Sequence, residues 1–216
     1  MARIKPIRKL RLIDMIRNDI LYAGVAEGLS SLPVPESIKI GRKRYFIPLN
    51  LDEFADSIVY GQRLYFSREE PNDFAIILRL LAGYYFPIVK KKAFNESGVA
   101  VFTKNILNCK AKEAYPTTMH MINLIGQLAD REKKLLDREP SKIELAAGIE
   151  KLAPFAEIDA LDFLSDSMKV STSEVLLTPY NECLVRFMKA KASAEYQERF
   201  IKLSQEAVTH DKSKSK

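Results

Sequence analysis

Ile38–Pro48, IKIGRKRYFIP, runs directly into Leu49–Pro87, LNLDEFADSIVYGQRLYFSREEPNDFAIILRLLAGYYFP, and the reading of these two pieces decides the fold. In the first, Ile38, Ile40, Tyr45 and Ile47 flank Gly41-Arg42-Lys43-Arg44, the pattern of two short strands joined where glycine takes a positive φ. Pro33, Pro35 and Pro48 bracket it, so a hairpin is expected within residues 36–48. A lone two-stranded ribbon is marginal in water. It must lie on a helix or pair with another strand, and in a homo-oligomer that strand could belong to a neighbour. In the second piece, Asn50 reads as an N-cap with Asp52 and Glu53 in the first helical turn, where the helix dipole favours carboxylates. Gly61 is expected to end or bend this helix. Pro71 and Asp73 mark the next start, and Phe74, Ile77, Leu78, Leu81 and Tyr85 follow at helical spacing. Ile76, Leu80 and Tyr84 widen that stripe into a buried core helix.

Outward from this centre the pattern is helical. After Pro6, apolar residues recur every three to four positions among Arg8, Lys9, Arg11 and Arg17, predicting a basic amphipathic helix from about Ile7 to Ala23. Asn95-Glu96-Ser97-Gly98 is a polar break after Lys90-Lys91-Lys92. Val99, Phe102 and Ile106 then resume a helix to Tyr115-Pro116, where Thr117 is expected to cap a new one ending near Pro140. Ser141 with Glu144 begins a short helix through Leu152, Pro154 another, and Thr178-Pro179 the last. The fold class is therefore mainly α: a helical bundle with a small β-hairpin near residues 36–48 and an N-terminal basic amphipathic helix. Three parts are expected, an arm over 1–32, a helical domain over 33–208 and a polar basic tail over 209–216.

The 216 residues carry 34 Lys+Arg and 28 Asp+Glu, a net charge of +6. It is unevenly placed: residues 1–112 hold 19 bases and 11 acids, whereas 113–216 hold 15 and 17. In a head-to-tail ring, a basic face of one subunit would meet an acidic face of the next. No run reaches the roughly 18–20 apolar residues of a membrane span, and no signal-peptide h-region is present, so a soluble intracellular product without a membrane partner is expected. The two cysteines, Cys109 and Cys183, lack CxxC or Cys/His spacing and read as reduced, buried thiols. His120 and His210 have no ligand partners at metal spacing, no GxSxG occurs, and the glycines form no phosphate cradle. No catalytic residue, metal or cofactor is expected, and the protein reads as not an enzyme. The candidate interface residues are Arg3, Arg8, Lys9, Arg11, Lys39, Arg42, Lys43, Arg44, Tyr45, Tyr84 and Tyr85.

Several short patterns recur in a set order: Ile47-Pro48, Gly61-Gln62, Ala114-Tyr115-Pro116, then Val175-Leu176 with Pro179-Tyr180. From Ile38 to Tyr196 this order resembles that of virion assembly proteins from crAss-like tailed phages of gut Bacteroidales. The resemblance implies a neck or tail ring subunit of the head-tail connector, made in the bacterial cytoplasm and carried in the virion. Its implied partners are copies of itself, portal or tail proteins and, non-specifically, packaged DNA. A cytosolic tail-assembly chaperone and a nucleic-acid-binding factor using Arg42, Lys43, Arg44 and the N-terminal arginines are the alternatives.

Overall fold

A computed structural model describes residues 9–17, 19–68, 73–138, 140 and 142–214, with 17, 19–24, 143 and 207–214 described by backbone alone. The chain is mainly helical with one two-stranded antiparallel ribbon. It divides into two units: Met1–Asp130 with Ser173–Tyr180, and Arg131–Thr172 with Asn181–Lys216.

The first unit's described chain begins at Lys9, and its helical stretch, α1 (Leu12–Arg17) and α2 (Asp19–Ser30), starts at Leu12; residues 1–8 and 18 lie outside the described chain. Helix formation is delayed because Arg11 is extended: it forms a bridge with Lys110, Ala111 N–H donates to Leu10 O and Leu12 N–H to Cys109 O. Leu10, Leu12 and Met15 are buried, so this stretch of the expected arm is part of the unit's core. The ribbon follows as β1 (Ser37–Ile40) and β2 (Lys43–Phe46), paired Ile38 with Tyr45 and Ile40 with Lys43. Its two-residue turn has Gly41 at φ 64 and a negative φ at Arg42, the arrangement of a II′ turn, which matches the twist of the strands.

Helix α3 (Leu51–Ser57) starts as expected, with Asn50 Oδ1 accepting from Glu53 N–H at 2.9 Å. It ends earlier than Gly61. Ile58 and Val59, two β-branched residues, are extended and pair with the distant segment Thr178–Tyr180: Tyr60 N–H donates to Thr178 O, and Tyr180 N–H to Ile58 O. Gly61 sits inside the first turn of α4 (Tyr60–Phe66), its N–H donating to Leu176 O at 2.9 Å. A Cβ there would lie 2.8 Å from that oxygen, so only glycine permits the approach.

Helix α5 (Asp73–Lys90) is the core helix, continuing past Pro87 to a left-handed Lys91. Proline at 87 cannot donate to the carbonyl of Gly83, one turn back. That carbonyl instead accepts from the Gln62 side chain at 2.8 Å, while Gln62 Oε1 accepts from Val59 N–H at 3.0 Å. One buried glutamine thus stands in for the missing backbone donor and caps the start of α4. Around it Phe54 stacks between Phe66 and Tyr84, with centroids 6.1 and 5.7 Å away.

After α6 (Glu96–Ile106), capped by Asn95, the chain turns into α7 (Ala111–Leu136). The break expected at Pro116 is absent. The helix runs through it, because the carbonyl left without a donor belongs to Lys112, an exposed first-turn residue whose group water can satisfy. Thr117 is consequently no cap: it is fully buried and donates back to Glu113 O at 2.6 Å.

The second unit contains the end of α7, then α8 (Lys142–Ala146), shorter than the helix expected through Leu152 because Gly148 takes φ 81 and a 3₁₀ turn (Ile149–Phe155) follows. That turn absorbs Pro154, so α9 (Ala156–Met168) begins two residues later than the proline suggests. Helix α10 (Thr172–Val175), in the first unit from Ser173 onward, precedes the loop that docks on α3 and α4. Finally α11 (Tyr180–Lys214) begins after Thr178-Pro179 and runs on into the stretch expected as a polar tail. Its early turns pack on α9: Phe163 stacks on Phe187 at 5.5 Å, and Arg186 donates to Ser167 O at 3.3 Å.

Candidate interaction surface

The ribbon is half core and half surface. Ile38 and Ile40 point inward and are buried, whereas Lys39, Arg42, Lys43 and Arg44 are exposed, and Phe46 is 85% exposed. Lys39 and Arg44 are direct cross-strand partners, a like-charge pair that is unfavourable unless compensated. Glu113 of α7 compensates it. Its carboxylate, 8% exposed, accepts from Lys39 N–H at 3.0 Å and from Arg44 Nη2 at 3.4 Å, with Lys110 Nζ 4.0 Å away. A buried carboxylate is costly unless bonded, and here it is bonded to the outward-facing amide of a strand edge. The other end of the ribbon is tied by Tyr85 OH, which donates to Phe46 O at 3.2 Å, and by His120 Nε2, 2.8 Å from Pro48 O. The ribbon is pinned to α5 and α7 while β2 remains at the surface.

This geometry brings together two parts of the sequence that carry the candidate cations. Arg11, two residues after Lys9 in the chain, adjoins Lys110 through the Arg11–Lys110 bridge, and Lys110 adjoins Arg44 through Glu113. The result is a basic face with a single buried acid at its centre. Arg3 and Arg8 lie outside the described residues. Tyr45 is half-buried, with its ring 6.3 Å from Tyr85. Tyr84 and Tyr85 are corrections: both are core residues, 4% and 0% exposed, and Tyr84 OH pairs with Ser57 Oγ at 3.0 Å. Burial raises the pKa of both phenols, most strongly at Tyr85.

Sequence reasoning missed Glu113, because an acid in the first turn of a helix looks like ordinary dipole compensation. It also passed over Phe46 and Leu49, the latter 68% exposed, which sit beside the basic ribbon. On the second unit a different surface is exposed. Leu152, Phe155 and Ile158 are 57%, 53% and 56% accessible, and the exposed acids Glu157, Asp159, Asp162 and Asp166 lie among and after them. That face pairs apolar area with negative charge, the complement of the ribbon.

A groove of about 310 Å³ lies between α2, α5 and α7, lined by Ile76, Ile77, Met119 and Ile122 with Asp73 and Glu27. Tyr115 on its wall has its pKa pushed up to about 12 by burial, with a further contribution from Asp73. Cys109 and Cys183 are buried free thiols whose pKa values burial raises to about 12 and about 11. Among the described residues no group of three or more His, Cys, Asp or Glu could hold a metal ion, and no helix is long and apolar enough to cross a membrane. Comparison of the chain with protein-family models, curated proteins and solved structures finds no match.

Proposed function

We propose that the chain is a non-enzymatic structural subunit that assembles with copies of itself, in the setting its resemblance implies, a ring at the head-tail connector of a tailed-phage virion. The observation that carries this reading is the pinned basic ribbon. A two-stranded element held at both ends, with Phe46 exposed at its edge, is pre-organised to contact another protein without ordering cost. The apolar, acidic face of the second unit is its complement in charge and in kind. Joining that face of one copy to the ribbon of the next is a heterologous contact, which repeats around an axis and, where its rotation closes, forms the ring the resemblance implies.

Replacing Arg42, Lys43 and Arg44 together by glutamate tests it. The expected result is loss of assembly with the far-ultraviolet circular dichroism of the wild type, and recovery when Asp159→Lys and Asp162→Lys are added. Because Arg44 also meets Glu113, Phe46→Ser serves as a second variant that leaves the pin intact. Unchanged assembly in both variants would remove the reading. The clustering of Lys9, Arg11 and Lys110 with the ribbon cations favours one alternative, non-specific contact with packaged DNA. That alternative predicts affinity falling with salt at about 0.9 log unit per log unit for each phosphate contacted.

A further inference from the structure

We infer that the outer half of α11 pairs antiparallel with the same helix of a second copy. The helix has a defined inner side. Leu184, Lys191 and Glu198 recur every seven residues along one side of it. Leu184 is buried, Lys191 Nζ donates to the carbonyls of Leu135 and Asp137 at 3.1 and 2.8 Å, and Glu198 accepts from Arg138 at 2.5 Å. The opposite side carries Tyr196, Phe200 and Leu203 at i, i+4 and i+7, the spacing of a coiled-coil seam. They are 68%, 60% and 65% exposed, and Tyr196 stacks on Phe200 at 6.2 Å. The ridge therefore lies on the side of the helix away from these three residues.

Charge identifies the occupant as a second copy. Arg199 and Glu206, both exposed, hold the equivalent flanking position on successive turns of the seam, seven residues apart and opposite in sign. In a parallel pair these positions face residues 204 and 211 of the partner in the usual stagger, and no reciprocal charge match arises. In an antiparallel pair with Phe200 opposite the partner's Leu203, residue 199 of one helix lies within about 3 Å, along the axis, of residue 206 of the other, two residues at ~1.5 Å each. Both Arg–Glu pairs then form by the two-fold axis, and the seam is self-complementary. This contact is isologous and distinct from the heterologous ribbon contact, so each can exist without the other.

The test uses the full chain carrying the three glutamates at 42–44, in which ribbon contacts are removed. Sedimentation equilibrium is expected to show a dimer that Phe200→Glu weakens by about two orders of magnitude, given the apolar area each copy withdraws from water. Arg199→Glu and Glu206→Arg singly should each weaken it roughly three- to tenfold, as expected for surface pairs made like-charged. Mixing those two single variants should restore it, because the mixed pair regains both opposite-charge contacts. A monomer at all concentrations would overturn the inference, as would single variants without effect or a mixture no tighter than its components. Failure of the ribbon reading leaves a different signature, a wild type that is itself only this dimer.

Discussion

Replacing Gln62 by leucine removes both polar functions of a side chain that is 3% exposed. The carbonyl of Gly83 loses its donor and the Val59 N–H loses its acceptor, at 2.8 and 3.0 Å respectively. Each buried group left unsatisfied costs about 1–3 kcal/mol, so Gln62→Leu should destabilise by roughly 2–6 kcal/mol. For a chain of this size that lowers Tm by roughly 2–4 °C per kcal/mol. The reason for the dependence is Pro87, so the test is a cycle with Pro87→Ala, which supplies a backbone N–H to Gly83 O. In the wild type this donor is redundant. In the leucine variant it should recover about 1–2 kcal/mol, measured by urea unfolding followed by circular dichroism. Independent sites add within about 0.3–0.5 kcal/mol. Additivity within that margin would refute the claim that Gln62 substitutes for the donor proline lacks.

Gly61→Ala should destabilise by about 1–3 kcal/mol, because its methyl meets the Leu176 backbone at 2.8 Å, whereas Gly126→Ala in α7, with nothing within 4 Å, should stabilise by about 0.5–1 kcal/mol; thermal melts of the pair separate the two. Glu113→Ala should raise hydrogen exchange at the Lys39 amide well before it lowers global stability, since that amide loses its acceptor, and unchanged exchange would mean the ribbon is not pinned there. Tyr84, Tyr85, Tyr115, Cys109 and Cys183 all have raised pKa values in the folded state. Their neutral forms are favoured by folding, so the associated stability is complete below the unfolded values of 9.0 for thiol and 10.0 for phenol. It falls as pH rises above them, by roughly 1.4 kcal/mol per pH unit for each group. Urea midpoints should hold steady to about pH 8.5 and decline steeply beyond it, and the Cys109→Ala and Cys183→Ala variants should decline less.

Local chemistry made much of the fold readable. Gly41 between β-formers specified the hairpin turn, and Asn50 with Glu53 specified the start of α3 through its cap. Interruptions set by distant partners were not readable. Ile58-Val59 leaves the helix because Thr178–Tyr180 arrives beside it, and nothing near residue 58 announces a segment 120 positions away. The short patterns Gly61-Gln62, Val175-Leu176 and Pro179-Tyr180 turn out to be the two sides of this joint, so their order reflects packing. Pro87 lies inside a helix without breaking it, and Pro116, where a new helix was expected, misled for the converse reason. A proline predicts a break only when its orphaned carbonyl finds no other donor, and Gln62 supplies one at the first and the exposed first turn of α7 leaves the second open to water.

At the surface, the cations of the ribbon were legible as exposed charge, but Glu113 was not, since its role depends on a strand 74 residues earlier. Tyr84 and Tyr85 were placed at an interface on their aromatic character, yet their position on the most buried helix decides otherwise. The seam on α11 left a signal that was present but unused. After Met188, three of its large apolar residues, Tyr196, Phe200 and Leu203, share one side of a helix otherwise rich in charge, with Ile201 on another.

The central claim is that the exposed apolar and charged surfaces are covered by other copies of this chain. Native mass spectrometry of the purified protein across a concentration series, at low and high salt, tests it most directly. Species that are multiples of the 24.6 kDa chain are expected, larger and more populated at low salt, where the basic ribbon and acidic face attract most strongly. A single 24.6 kDa species at every concentration and salt would contradict it.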